Sequence, residues 1–155
     1  MVRSTLAVLA LAATTVLTDA GQALAQSPAA SIEQRQAAMK LNGASMKTIV
    51  PIARGDAPWN AAAAIPALEA LLSSGRSTAA MFPQGSGPES GLRTRALGAI
   101  WQRWAEFEAI GKAQADAAEA MLVAARANDE AAFKRAFPAL GRPCATCHEA
   151  FRANQ

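Results

Sequence analysis

The sequence predicts an all-α fold, an antiparallel bundle of four helices with a group held covalently in its core. Three observations carry that expectation. The chain is rich in alanine, contains no tyrosine and is poor in β-branched residues, which favours helix over strand. Apolar residues recur in steps of three and four along four segments, most of them joined by short links. The only two cysteines and the only histidine of the protein stand together in "CATCH", as Cys144, Cys147 and His148.

Before the first helix lies a leader. Arg3 supplies a positive start, and the apolar run from Leu6 to Leu17 is well short of the roughly 20 residues that span a bilayer. Ala23 and Ala25 suit a signal peptidase cutting before Gln26. Residues 1–25 are thus expected to be a cleaved signal peptide, and 26–155 one exported domain. Removal of the leader takes away one basic and one acidic residue, so the net charge stays at the +3 of the full chain. Lysine and arginine are spread along the chain, which excludes a nucleic-acid footprint. No later segment is apolar enough to predict a membrane span.

The first helix is expected to open at Ser31, where "SIEQ" has the form of a capping box. Ile32, Met39 and Met46 give it an apolar face, with Gly43 and Val50 between. It runs to about Arg54, with a bend at Pro51, and "RGDAP" ends it. Asn60 is an N-cap for the second helix. Ile65, Leu68, Leu71 and Leu72 form its stripe, Pro66 is awkward in its first turns, and "SSG" closes it near Gly75. A long loop, about 76–92, follows; its length marks a crossover or a functional segment. The third helix is expected over about 93–127, with Leu97, Trp101, Trp104, Gly111, Ala118 and Leu122 on one face. Glu108 interrupts that stripe, and Phe107 widens it. After the turn "AND", Asn128 or Asp129 caps the fourth helix. Its stripe is Phe133, Phe137, Leu140, Cys144, Cys147 and Phe151.

The cysteines continue that apolar stripe, so what they hold belongs inside the bundle. C-x-x-C-H is the attachment signature of a c-type haem. Thiols three residues apart on a helix can each reach one of the two vinyl groups on adjacent pyrroles. The next residue, His148, then presents its imidazole to the iron. Its other ring nitrogen is expected to donate a hydrogen bond that fixes the ring. Other readings fare worse. A structural zinc needs four ligands, and no further Cys or His exists. A thioredoxin-like pair expects strands. A disulfide one helical turn long would cross-link almost nothing. Large core residues are few for four helices, and haem would supply the missing volume.

With "CATCHEAFR" at its C-terminus, "RQAAMKLNG" in the first helix, "ARGDAPWN" before the second and "IWQRW" in the third, the chain resembles the class II cytochromes c, the cytochrome c′ family. The resemblance spans essentially all of 26–155. It implies one haem c per chain, with Cys144 and Cys147 as thioether sites and His148 as the proximal iron ligand. It places Arg35 and Gln36 at the haem edge, Arg35 near a propionate. It puts Met39 over the distal side of the iron and Arg152 near the proximal imidazole. High-spin members often carry an aromatic in the loop before the third helix; here "TAAMFPQGS" offers Met81 and Phe82. "MKLNG" and "FPQGS" look more like the low-spin branch, in which the helix methionine binds iron.

The function expected from this reading is one-electron transfer in the periplasm, between redox partner proteins of a respiratory or photosynthetic chain. The alternative is a five-coordinate cytochrome c′ that binds or sequesters nitric oxide or carbon monoxide. An enzyme of peroxidase type would need a distal acid–base pair, and there is no second histidine. Family members often pair through their first two helices. The alanine-rich face "AAAAIPALEALL" would permit such a homodimer.

Overall fold

The computed structural model describes residues 27–154. The leader 1–25 and its cleavage point lie outside the described residues. Five helices follow in order: α1 (Pro28–Arg54), α2 (Ala61–Ser77), a single turn α3 (Ala99–Gln102), α4 (Trp104–Arg126) and α5 (Glu130–Phe151). α1, α2, α4 and α5 are the four main helices of a bundle. α4 packs broadly against α2 and α5, and α1 against α2, while α1 and α5 scarcely touch.

Local chemistry sets most of the boundaries. α1 begins at Pro28, not at Ser31: Ser27 accepts a bond from the Ala30 amide at 3.2 Å, and proline is preorganised for the first helical position. Ser31 therefore lies one turn inside and is fully buried. The helix continues through Pro51 and ends on Gly55 at φ +83°, a left-handed cap that suits glycine. Asn60 caps α2 as expected, accepting from the Ala63 amide at 3.0 Å. Pro66 is accommodated within the helix, which runs past Gly75 to Ser77. Gly75 is there for a close approach. A Cβ on it would stand 2.8 Å from the Ala115 backbone nitrogen of α4. At the last turn Asn128 takes φ +54°, and Asp129 caps α5 with 2.8 Å to the Ala132 amide.

The third expected helix is corrected at its start. Residues 93–98 are not helical, because their backbone pairs elsewhere. Ala96 forms an antiparallel bridge with Arg152, the Leu97 amide donates to the Phe151 carbonyl at 3.0 Å, and the Ala153 amide to the Arg95 carbonyl at 2.9 Å. Helix starts at Ala99 and breaks at Arg103, whose φ of −119° and ψ of 45° leave the helical region. The preceding loop contains two 3₁₀ turns, Ala79–Met81 and Pro88–Ser90.

The core is divided in two. The larger part joins all four main helices through Ile49, Leu68, Leu71, Met121, Phe133 and Leu140. Trp59 closes it, edge-on to Phe133 at 5.0 Å and bonded through Nε1 to Asn128. The smaller part is aromatic. Phe107 sits between Phe82, Phe151 and Trp104, at ring separations of 4.8, 5.5 and 5.7 Å. Glu108, the interruption in the sequence stripe, is exposed, and Phe107 takes the inward position.

Candidate haem site

The motif lies on α5 between the two parts of the core. From Gly141 to Ala150 no residue of α5 is buried, and Cys144, Cys147 and His148 are half-exposed. Across from it, α1 is equally uncovered between the buried Arg35 and Ser45. Ala38 and Cys147 both border the aromatic cluster, while Met46 and Phe137 border the larger core. The two uncovered stretches thus face one slot, with packed side chains at either end. An apolar group tethered to α5 would cover both stretches, and its burial would complete the α1–α5 side of the core. Haem satisfies that description.

The donors agree with it. Both cysteines are free. Cys144 donates to the Leu140 carbonyl at 3.8 Å. Burial pushes the Cys144 thiol up, and burial together with Cys144 pushes Cys147 up to about 11. These are neutral thiols, unlike the thiolates of a reactive redox pair. Burial, then the charges of Arg152 and Arg95, hold the His148 imidazole below its usual range. The ring is neutral at pH 7, the form that ligates a metal. The expected acceptor for its second nitrogen is not found among the described residues.

Arg35 is buried, at 4 % exposure. Its guanidinium donates to Ser86 Oγ at 2.9 Å, the Ser86 carbonyl at 2.6 Å and Thr94 Oγ1 at 2.7 Å, and lies 4.7 Å over the Phe82 ring. It ties α1 to the loop before α3. One residue on, Gln36 donates to the Arg93 carbonyl at 3.2 Å. Met39 follows on the uncovered stretch of α1, 40 % exposed and outside both core clusters. Arg95 is brought to the end of α5, where its guanidinium donates to the Ala153 carbonyl just after the motif. Nothing in its sequence neighbourhood announces a place near a histidine 53 residues away; only the 96–152 bridge brings it there. A groove of about 580 Å³ between α2 and α4, crossed by the Arg76–Glu119 and Arg126–Glu69 ion pairs, is remote from the motif. No described helix is long and apolar enough to cross a membrane.

A four-helix bundle with C-x-x-C-H on its last helix, half-exposed beside the aromatic cluster, defines a c-type haem protein of the bundle class. The family profile described as cytochrome c′ matches residues 30–152. The chain belongs to the cytochrome c′ family. It is 41% identical over 127 residues to cytochrome c′ of Pararhodospirillum photometricum, covering 81% of this chain and 98% of that one. It is also 33% identical over 124 residues to cytochrome c-556 of Agrobacterium fabrum, covering 80% and 82%. Among solved structures, a ferrous variant of cytochrome c′ from Alcaligenes xylosoxidans with bound NO superposes with a TM-score of 0.72 at 26% identity, covering 83% of this chain and 97% of that one. The protein is therefore a non-enzymatic haem protein with one covalent haem c, for which the Cys144/Cys147 pair is suited. The family is typically periplasmic.

Proposed function

We propose that this protein binds a diatomic gas, nitric oxide or carbon monoxide, in the slot between α1 and α5. Cys144 and Cys147 carry the thioether links, His148 ligates the iron from the α5 side, and Arg35 and Gln36 border the haem edge. When bound, haem would supply a one-electron couple and an iron able to bind a small ligand. The observation that carries the reading is Met39. It lies on the uncovered stretch of α1, exposed and outside both core clusters. A flexible thioether in that position screens the site from water and can swing aside for a ligand of two atoms. The NO complex of the Alcaligenes relative supports the same reading. Export through the leader places the protein in the periplasm.

A second reading, favoured by the "MKLNG" and "FPQGS" stretches, makes Met39 the sixth ligand. Neutral thioether ligation raises the potential, and the protein is then an electron carrier between redox partners. Absorption spectra of wild type and Met39→Ala, ferric and ferrous, with and without carbon monoxide, separate the two. Gas binding predicts a high-spin wild type that takes up carbon monoxide and whose spin state survives Met39→Ala. A low-spin wild type that turns high-spin and gains carbon monoxide binding in Met39→Ala overturns it in favour of the carrier.

A further inference from the structure

The helices that flank the slot barely meet, yet they are tied together by the segment between the long loop and α3. On the α1 side, Arg35 bonds Thr94 Oγ1 and Gln36 bonds the Arg93 carbonyl. The Thr94 hydroxyl also accepts from the Ala96 amide at 3.1 Å. On the α5 side, the same segment pairs with the residues just after the motif, through the Ala96–Arg152 bridge and its flanking bonds. Arg95 completes this bracket from its side chain. Its Nε and Nη2 both donate to the Ala153 carbonyl, at 3.1 and 2.9 Å. An exposed arginine normally samples many rotamers. Here a two-pronged bond to the carbonyl of Ala153, whose amide is in turn paired with the Arg95 carbonyl, fixes the charge beside the last turn of α5.

We propose that Arg95 is a positioning residue of the haem site: a clamped cation that sets the electrostatics on the proximal side of the iron, alongside Arg152. This rests on the reading of His148 as iron ligand. The bonds to Ala153 and the Ala96–Arg152 bridge hold Arg95 beside the residues that follow His148 by about one turn, so its charge sits on the α5 side, where the ligand lies. Ferric haem carries one more positive charge than ferrous haem, so a fixed cation nearby disfavours the ferric state more. Arg95 therefore raises the reduction potential. Because the side chain is exposed, the effect is moderated by solvent and shrinks with salt.

The test is the midpoint potential of the holoprotein at low ionic strength. Arg95→Gln removes the charge, Arg95→Met removes it while keeping an apolar stem, and Arg95→Lys keeps the charge. The expected result is a downward shift in Arg95→Gln and Arg95→Met that narrows as salt is added, with Arg95→Lys near wild type. Should the Gln variant fail to yield holoprotein, the Met variant carries the test. Equal potentials in all proteins, or a fall in Arg95→Lys as large as in Arg95→Gln, would overturn the role. Hyperfine-shifted ring-proton resonances of a ligated histidine, read in the ferric wild type, distinguish the two levels. If they are absent, the ligand reading fails and this role with it; if present with unchanged potentials, only the role of Arg95 fails.

Discussion

Single residues hold the slot open at its aromatic end. Phe107 touches three rings and is almost wholly buried. Phe107→Ala is expected to lower the unfolding free energy by about 3–5 kcal/mol, read from denaturant titration. Arg35 acts differently. Its guanidinium satisfies the carbonyl and hydroxyl of Ser86, which is fully buried. Arg35→Ala leaves that carbonyl without its donor, and a loss of about 1–3 kcal/mol is expected. Limited proteolysis should then cut first within 82–94, because that loop has lost its anchor on α1. A variant as stable and as resistant as wild type would show that the loop is held by its own turns.

Between elements, the contact of α2 with α4 is set by a missing side chain. Gly75 faces the backbone of Ala115, which cannot yield as a flexible side chain would. Gly75→Ala is expected to destabilise the bundle by about 1–3 kcal/mol, despite the better helix propensity of alanine. Thermal unfolding checks the sign: a higher melting temperature would mean that propensity outweighs the clash. The same scale explains why the third helix was read too long. Residues 93–98 carry no breaker strong enough to stop a helix in isolation. Their amides and carbonyls are claimed by the C-terminal residues 151–153 and by Thr94, and backbone bonds made there cannot also be made in a helix.

For the molecule as a whole, the proposed attachment makes haem a structural member. α1 and α5 face each other across uncovered stretches, so their packing depends on what the slot holds. Changing Cys144 and Cys147 together to Ala is expected to make haem extractable into acidic solvent, while the wild type retains it on the chain. The haem-free variant should melt at a lower temperature, with increased exchange of α1 and α5 amides and little change in α2 and α4. Uniform loosening of all four helices would contradict this division.

The haem motif was legible because C-x-x-C-H is local chemistry: the reach from one helical turn to two vinyl groups and an iron is fixed by spacing alone. The four main helices were legible for the same reason, since periodicity, Asn60 and Asp129 act within a turn or two of chain. Ser31 as a cap failed by competition from Ser27 and Pro28, one turn earlier. What only the tertiary structure decided rests on partners distant in sequence. Arg35 meets Ser86 and Thr94, Gly75 meets Ala115, and Arg95 meets Ala153, each across more than 35 positions. Such pairings follow from how the helices stack, and each side chain's own neighbourhood carries no trace of the residue it will meet.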